Sequence, residues 1–324
     1  MTLRTRLTER LGIAHPVLLA PMGMVAGGRL AAAVSDAGGL GLIGGGYGDA
    51  AWLDREFAAA GNRRVGCGFI TWSLAKQPAL LDRVLARNPA ALMLSFGDPR
   101  PFAARIRDAG SVLVCQVQSR DQALQALDAG AEIVVAQGTE AGGHGGTRAT
   151  LPLVPALVDL VARRAPDAMV VAAGGIADGR GLAAALTLGA EGVLVGTRFY
   201  ASAESLGHAN AKARIAAAAG DETVRTSAFD IVRGYAWPDG ITGRALCNDF
   251  TARWHGSERA LAAALERETP RYKAAAEAGD AATAVIFAGE GVDLVDDVPP
   301  AGAIVARLAA EAEQALQSAA RHMA

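Results

Sequence analysis

Of the five histidines in this 324-residue sequence, one has surroundings suited to chemistry. His144 lies in Gln137-Gly-Thr-Glu-Ala-Gly-Gly-His-Gly-Gly146, flanked by four glycines. A histidine that only fills a core belongs to a periodic apolar stretch, whereas this one lies outside any such stretch and is expected to face a cavity. An imidazole placed there works as acid or base near neutral pH. His15, His208, His255 and His322 lack such a setting. His255, in Arg253-Trp-His-Gly256, fits a lid over a pocket and a surface contact equally well.

Two more glycine-rich elements, Ala173-Gly-Gly-Ile-Ala-Asp-Gly179 and Gly196-Thr-Arg-Phe199, have the makings of a phosphate cradle. Glycines let bare N–H groups point into a cavity, and the helices that follow add a positive end. Tight turns and helix starts alone are the plainer alternative, but two adjacent loops of this kind in this order favour phosphate. Other chemistries fit poorly. Only three lysines exist (Lys76, Lys212, Lys273), none at a strand end, which disfavours a Schiff base. No HExxH, paired cysteines or dense carboxylate cluster points to a metal, and no GxSxG elbow is present. Gly39-Leu-Gly-Leu-Ile-Gly44 has the dinucleotide spacing, yet it lies within a predicted strand instead of opening a helix. A glycine-lined site with few ionisable groups suits a bound cofactor that carries the reaction itself.

Those residues need elements that converge on them. Short apolar runs recur as Val17-Leu-Leu-Ala20, Leu40-Gly-Leu-Ile43, Val65-Gly-Cys-Gly-Phe-Ile70, Leu92-Met-Leu-Ser95, Val112-Leu-Val-Cys115, Ile133-Val-Val135, Met169-Val-Val-Ala172 and Val193-Leu-Val195. Runs so short and so uniformly apolar fit strands buried on both faces of a parallel sheet. Helical stretches lie between them, and Asp36-Ala-Gly-Gly39, Asp108-Ala-Gly110, Asp128-Ala-Gly130 and Leu188-Gly189 each put a glycine stop before a strand. Eight strands at about 25 residues per unit predict an α/β fold, a (β/α)8 TIM barrel. An open doubly wound sheet satisfies the same pattern, because closure is not visible in sequence. The candidate residues fall at the C-terminal strand ends, where such folds bind ligands.

The rhythm stops near Tyr200. Residues 201–219 look helical, 221–257 mixed and loop-like, and 258–324 helical and charged. We therefore expect residues 1–220 to form the barrel and 221–324 a small helical appendage, its last helices packing back on the barrel. Trp237, Phe250 and Trp254 are the appendage side chains considered for closing the pocket.

Composition narrows the class. Apolar residues make up 51% and charged residues 20%, enough for a sizeable core. Thirty-one basic against 33 acidic residues leave a net charge of -2, without the basic excess of a nucleic-acid binder. No apolar run approaches the ~20 residues of a membrane span. The charged N-terminus has no signal-peptide core, and three widely spaced cysteines make no disulfide framework. The expectation is a cytoplasmic protein; a homo-oligomer is compatible with the sequence.

Ala20-Pro-Met22, Gln137-Gly-Thr-Glu-Ala-Gly-Gly-His144, Ala172-Ala-Gly-Gly-Ile-Ala-Asp178 and Leu188-Gly-Ala-Glu-Gly-Val-Leu-Val-Gly-Thr-Arg-Phe199 together resemble the nitronate monooxygenases. The resemblance covers about residues 10–200. It implies a TIM barrel that binds FMN and oxidises alkyl nitronates, or nitroalkanes, with O2 to a carbonyl compound and nitrite. It implies that Ala20, Pro21 and Met22 lie along the flavin ring, with Gln116 close by. Gly174, Gly175, Gly196 and Thr197 would hold the phosphate, while Gly68, Gln137, Ala141, Gly142, Gly143 and Ile176 complete the cofactor site. His144 matches the active-site histidine. One departure stands out: many members carry Asn in a Gly-Val-Asn segment where this chain has Gly68.

Related FMN-dependent enoyl-acyl-carrier-protein reductases have a similar loop, and NADH:quinone reductases use the same barrel. An NAD(P)H-dependent flavin reductase is thus the alternative enzyme, although no trustworthy nicotinamide site is visible. A barrel that only binds or senses a phosphorylated ligand is the non-enzymatic alternative.

Overall fold

A computed structural model describes residues 3–321. Residues 1–2 and 322–324, His322 among them, lie outside the described residues. The first six strands are β1 (Val17–Leu19), β2 (Leu42–Gly46), β3 (Gly66–Ile70), β4 (Ala91–Ser95), β5 (Val112–Val117) and β6 (Ile133–Gln137). A short strand, β7 (Gly143–Gly145), leaves the barrel before β8 (Met169–Ala173) and β9 (Val193–Val195) complete it. The eight barrel strands form one sheet in the order β1-β9-β8-β6-β5-β4-β3-β2, every pair parallel. The two ends of this sheet meet at the parallel bridge Leu18↔Leu40, where Leu19 N–H donates to Leu40 O and Leu40 N–H to Val17 O, both at 3.0 Å. The sheet is therefore a barrel and not an open doubly wound sheet.

The apolar strands bury both faces, as their composition predicts. Val17 and Leu19 join the layer between strands and helices, whereas Leu18 between them joins a separate cluster with Leu42, Met93, Val114, Val135 and Val171. Leu7 and Leu11 of the helix Arg6–Leu11 enter that second cluster as well and plug it. The glycine stops work as expected: Gly38, Gly110, Gly130 and Gly189 all have positive φ. The Gly39–Gly44 spacing answers to packing. A Cβ on Gly41 would lie 1.9 Å from the carbonyl oxygen of Ala31, in the helix Gly28–Asp36, and one on Gly44 would lie 2.2 Å from Met22 O.

Beyond β9 the chain builds a second body. It contains β10 (Thr223–Thr226) and β11 (Thr242–Leu246), which pair antiparallel, and short helices packed around Phe229, Phe250, Trp254 and Tyr272. The helix Ala209–Ala216 packs with this body through Ala211 and Ile215. The helix Ala301–Ala320 instead returns to the barrel, burying Ala301, Ile304, Val305, Leu308 and Ala312 in the barrel's outer layer. It lies against the helices Gly28–Asp36 and Gly179–Thr187, in the outer position that belongs after β9. Among the described residues no helix is long and apolar enough to cross a membrane.

Gly41→Ala should lower the unfolding free energy by about 1–3 kcal/mol, because the methyl group meets rigid backbone. A urea titration checks this as a lower midpoint at unchanged slope; an unaltered midpoint would contradict the close approach.

Candidate active site

The C-terminal ends of the barrel strands open into a cavity of about 530 Å³, within the usual range for cofactor and substrate sites. Ala20, Pro21, Met22, Gly68, Gln116, Gln137, Ala141, Gly142, Gly143, His144, Gly174, Gly175, Ile176, Gly196 and Thr197 all line it. Every site residue singled out from sequence is thus brought to one place. Trp237 lines the cavity too, whereas Phe250 and Trp254 are buried in the appendage's own core and His255 is exposed.

His144 is held from both bodies. Its backbone is the middle of β7, which pairs with β11 in the register Gly243↔His144, so the glycine loop becomes the edge of a three-stranded sheet. From the barrel side, Gln137 Nε2 donates to His144 O at 2.9 Å, while Gln137 Oε1 accepts from Gln116 and Gln118. From the appendage, Arg225 donates to the carbonyls of Thr139, Gly145 and Thr242, and Arg244 donates to Thr139 O while pairing with Glu290. Burial and the neighbouring Arg244 bring Arg225 down to about 10, so it stays charged at neutral pH.

The imidazole lies flat on the Trp237 ring, with centroids 3.5 Å apart and planes 8° from parallel. Its Nε2 is 2.9 Å from both carboxylate oxygens of buried Asp230. Burial pulls the His144 pKa below its ordinary value, and the hydrogen bond to Asp230 opposes that pull. The imidazole is therefore neutral near pH 7, with Nε2 carrying the proton donated to Asp230. That tautomer leaves the Nδ1 lone pair without a protein partner among the described residues, ready to accept a proton.

The cradle is built from loop amides. Gly174 and Gly175 have φ of 104° and 72°, conformations that side chains disfavour, and they turn the backbone across the end of β8. The N–H groups of Gly175, Gly196 and Thr197 donate to no protein acceptor among the described residues, and none of the three residues is buried. Accessible, unpaired amides around one corner fit a phosphate. The expected help from a following helix does not materialise after β8, since Asp178 and Glu311 already accept from Gly181 N–H and Gly179 N–H. Instead the appendage closes the corner: Gly289 N–H donates to Thr197 Oγ1, and Gly289 and Gly291 line the cavity.

Gly68 has a steric reason. A Cβ there would lie 2.3 Å from Pro21 Cγ, so the proline ring occupies the space a longer residue would need. Met24 and Phe96 line the same cavity with φ of 61° and 63°, strain of about 1–2 kcal/mol each in non-glycine residues.

Several site residues were not anticipated: Asp230, Arg233, Tyr235, Tyr47, Phe96 and Phe287. Aromatic scarcity was an available signal. Only 5% of residues are aromatic, yet three of four tyrosines (Tyr47, Tyr200, Tyr235) and two of four tryptophans (Trp52, Trp237) line the cavity. Asp230 had no such signal, because nothing in its spacing connects it to a residue 86 positions earlier.

Comparison with known proteins gives a consistent picture. The family model for nitronate monooxygenase matches residues 4–62 and 71–311, and the stretch between contains Gly68. A nitronate monooxygenase of Neurospora crassa is 32% identical over 94% of this chain and 90% of its own length. A Mycobacterium tuberculosis protein named (3aS,4S,5R,7aS)-5-hydroxy-7a-methyl-1-oxo-octahydro-1H-indene-4-carboxyl-CoA dehydrogenase is 31% identical over 98% of this chain and 99% of its own. Among solved structures, FabK from Thermotoga maritima superposes with a TM-score of 0.84 at 30% identity, covering 99% of this chain and 100% of that one.

Asp230→Asn should move the His144 titration to lower pH, since the carboxylate stabilises the imidazolium that burial disfavours. Following the imidazole by NMR across pH 4–8 tests the assignment; a shift to higher pH would contradict it.

Proposed function

Because the chain belongs to the nitronate monooxygenase family of flavin-dependent oxidoreductases, we propose that it binds FMN in this cavity and oxidises alkyl nitronates, and nitroalkanes, with O2 to carbonyl compounds and nitrite. The observation that carries this reading is one cavity with unpaired amides at one corner and a buried, neutral histidine at another.

FMN, when bound, supplies the two-electron acceptor for the substrate and returns those electrons to O2. The chain supplies the rest. The amides of Gly175, Gly196 and Thr197 hold the phosphate, and Ala20, Pro21, Met22 and Gly68 offer apolar and backbone surface to the ring system. Gln116 and Gln137 are tied to each other and to the His144 carbonyl, so they position that loop. For a neutral nitroalkane, His144 Nδ1 takes the proton from the carbon next to the nitro group, and Asp230 stabilises the imidazolium that results. For a nitronate that proton is already gone, and His144 orients the anion. Trp237 and Phe287 fix the imidazole plane and keep water away from it.

The M. tuberculosis and T. maritima relatives favour one second reading, a flavin enzyme acting on thioester substrates with a nicotinamide partner. Anaerobic mixing separates the two. Bleaching of the flavin by propyl-2-nitronate alone supports the nitronate reading; bleaching by NADH or NADPH alone supports the other. The purified protein should be yellow and release FMN on denaturation.

His144→Ala should lower kcat/KM for a neutral nitroalkane by about 10²–10⁴-fold, with FMN content near normal. A smaller loss is expected for the nitronate. In the wild type, kcat/KM for the nitroalkane should fall only below the ~6.5 of a free imidazole, because the base form persists above its lowered pKa. Equal turnover by the variant would remove the assigned role.

A further inference from the structure

We propose that the loop after β9 is a carbonyl cage of the kind that binds a monovalent cation, that Lys212 fills it with a tethered ammonium, and that the filled cage holds one wall of the cavity in place. The inference goes beyond the nitronate reading and needs no particular substrate; Lys212 is a positioning residue in it.

Lys212 belongs to the helix Ala209–Ala216, which packs with the second body. Its Nζ reaches back to the segment leaving the barrel and donates to the carbonyls of Ser205 at 2.6 Å, Ser202 at 2.8 Å and Ala203 at 3.4 Å. Three acceptors call for three N–H donors, which the ammonium form supplies. Its hydrogen bonds go to these carbonyls and to no carboxylate among the described residues. Glu204, the acid whose charge acts on it, accepts from Ala301 N–H instead. Burial pulls the Lys212 pKa below its ordinary value, so the ammonium has exchanged hydration for these oxygens. The other two lysines, Lys76 and Lys273, are exposed.

A cation held by backbone carbonyls in place of its water shell is the arrangement that potassium adopts in proteins. Three carbonyl dipoles aimed at one point repel one another unless a cation lies between them. What they secure is the edge of the site. Ser202 Oγ donates to Phe199 O and Arg198 Nη2 to Ala201 O, which ties the cage to the short helix Thr197–Tyr200 that begins at the corner of unpaired amides. On its other side, Leu206 N–H donates to Val25 O at 3.0 Å, and Val25 lines the cavity together with Met22 and Tyr200. Ala203 N–H donates to Pro299 O, just before the helix Ala301–Ala320. The charge of one lysine thus joins the β1 loop, the β9 loop and the last helix.

The test measures FMN affinity and the thermal midpoint of the FMN-loaded protein in the chlorides of potassium, ammonium and N-methylglucamine. The last cation is too bulky for the cage, and equal ionic strength keeps the screening equal. The wild type should behave alike in all three salts. Lys212→Ala opens the cage; in N-methylglucamine it should bind FMN about 10-fold more weakly and melt about 5 °C lower, and potassium or ammonium should restore most of both losses. A loss of the same size in every salt, or no loss in any, overturns the proposal. So does a wild type that itself requires potassium, because its cage would be unfilled. Reductive methylation of the wild type, mapped by mass spectrometry, needs no variant. Lys76 and Lys273 should be modified well ahead of Lys212, and equal rates for all three overturn the cage. Neither arm turns over a nitronate, so failure of the nitronate reading leaves both results standing.

Discussion

The pairing of β7 with β11 is the constraint on which the site depends. A glycine-flanked histidine on a free loop has many conformations, and ordering it costs backbone entropy at each glycine. Three residues of antiparallel register and the Arg225 clamp remove that freedom. The barrel supplies the floor and the corner of unpaired amides, but the orientation of the imidazole is set by a sheet that neither body makes alone. An enzyme of this design cannot lose its appendage and keep its base in place.

Two opposite charges on one short helix then set the electrostatics. Asp230 holds the proton on Nε2 and favours the imidazolium; Arg233 and Arg225 disfavour it, and burial disfavours it more. The balance leaves a neutral base whose conjugate acid still has a buried carboxylate to lean on, which is what proton abstraction from a weakly acidic carbon requires. The aromatic rings of Trp237 and Phe287 keep this balance out of bulk water, where it would be screened.

Much of this was legible in sequence because it is local. Strands buried on both faces must be uniformly apolar, and a helix that stops before a strand favours glycine, so the eight-fold rhythm and the glycine-rich strand ends announced the barrel and its binding end. What stayed hidden was long-range. Asp230 meets His144 across 86 positions, and Gly289 closes the corner of unpaired amides from the stretch 258–324, which reads only as helical and charged. The expectation of a helix end behind the cradle failed for a related reason: Glu311, far along the chain, had already taken that N–H group. Gly68, noticed as a departure, acquires its cause only when Pro21 is seen to fill the adjacent space.

The placement of Ala301–Ala320 bears on how the molecule is assembled. The outer ring of the barrel has a gap between its first and seventh helices until this segment arrives, and all of residues 196–300 must first be laid down. Its contacts with Gly28–Asp36 join parts of the chain remote in order, which slows folding through the loop that must be closed. A nascent chain therefore carries an uncovered apolar groove through much of its synthesis, and chaperone demand should be greatest in that interval.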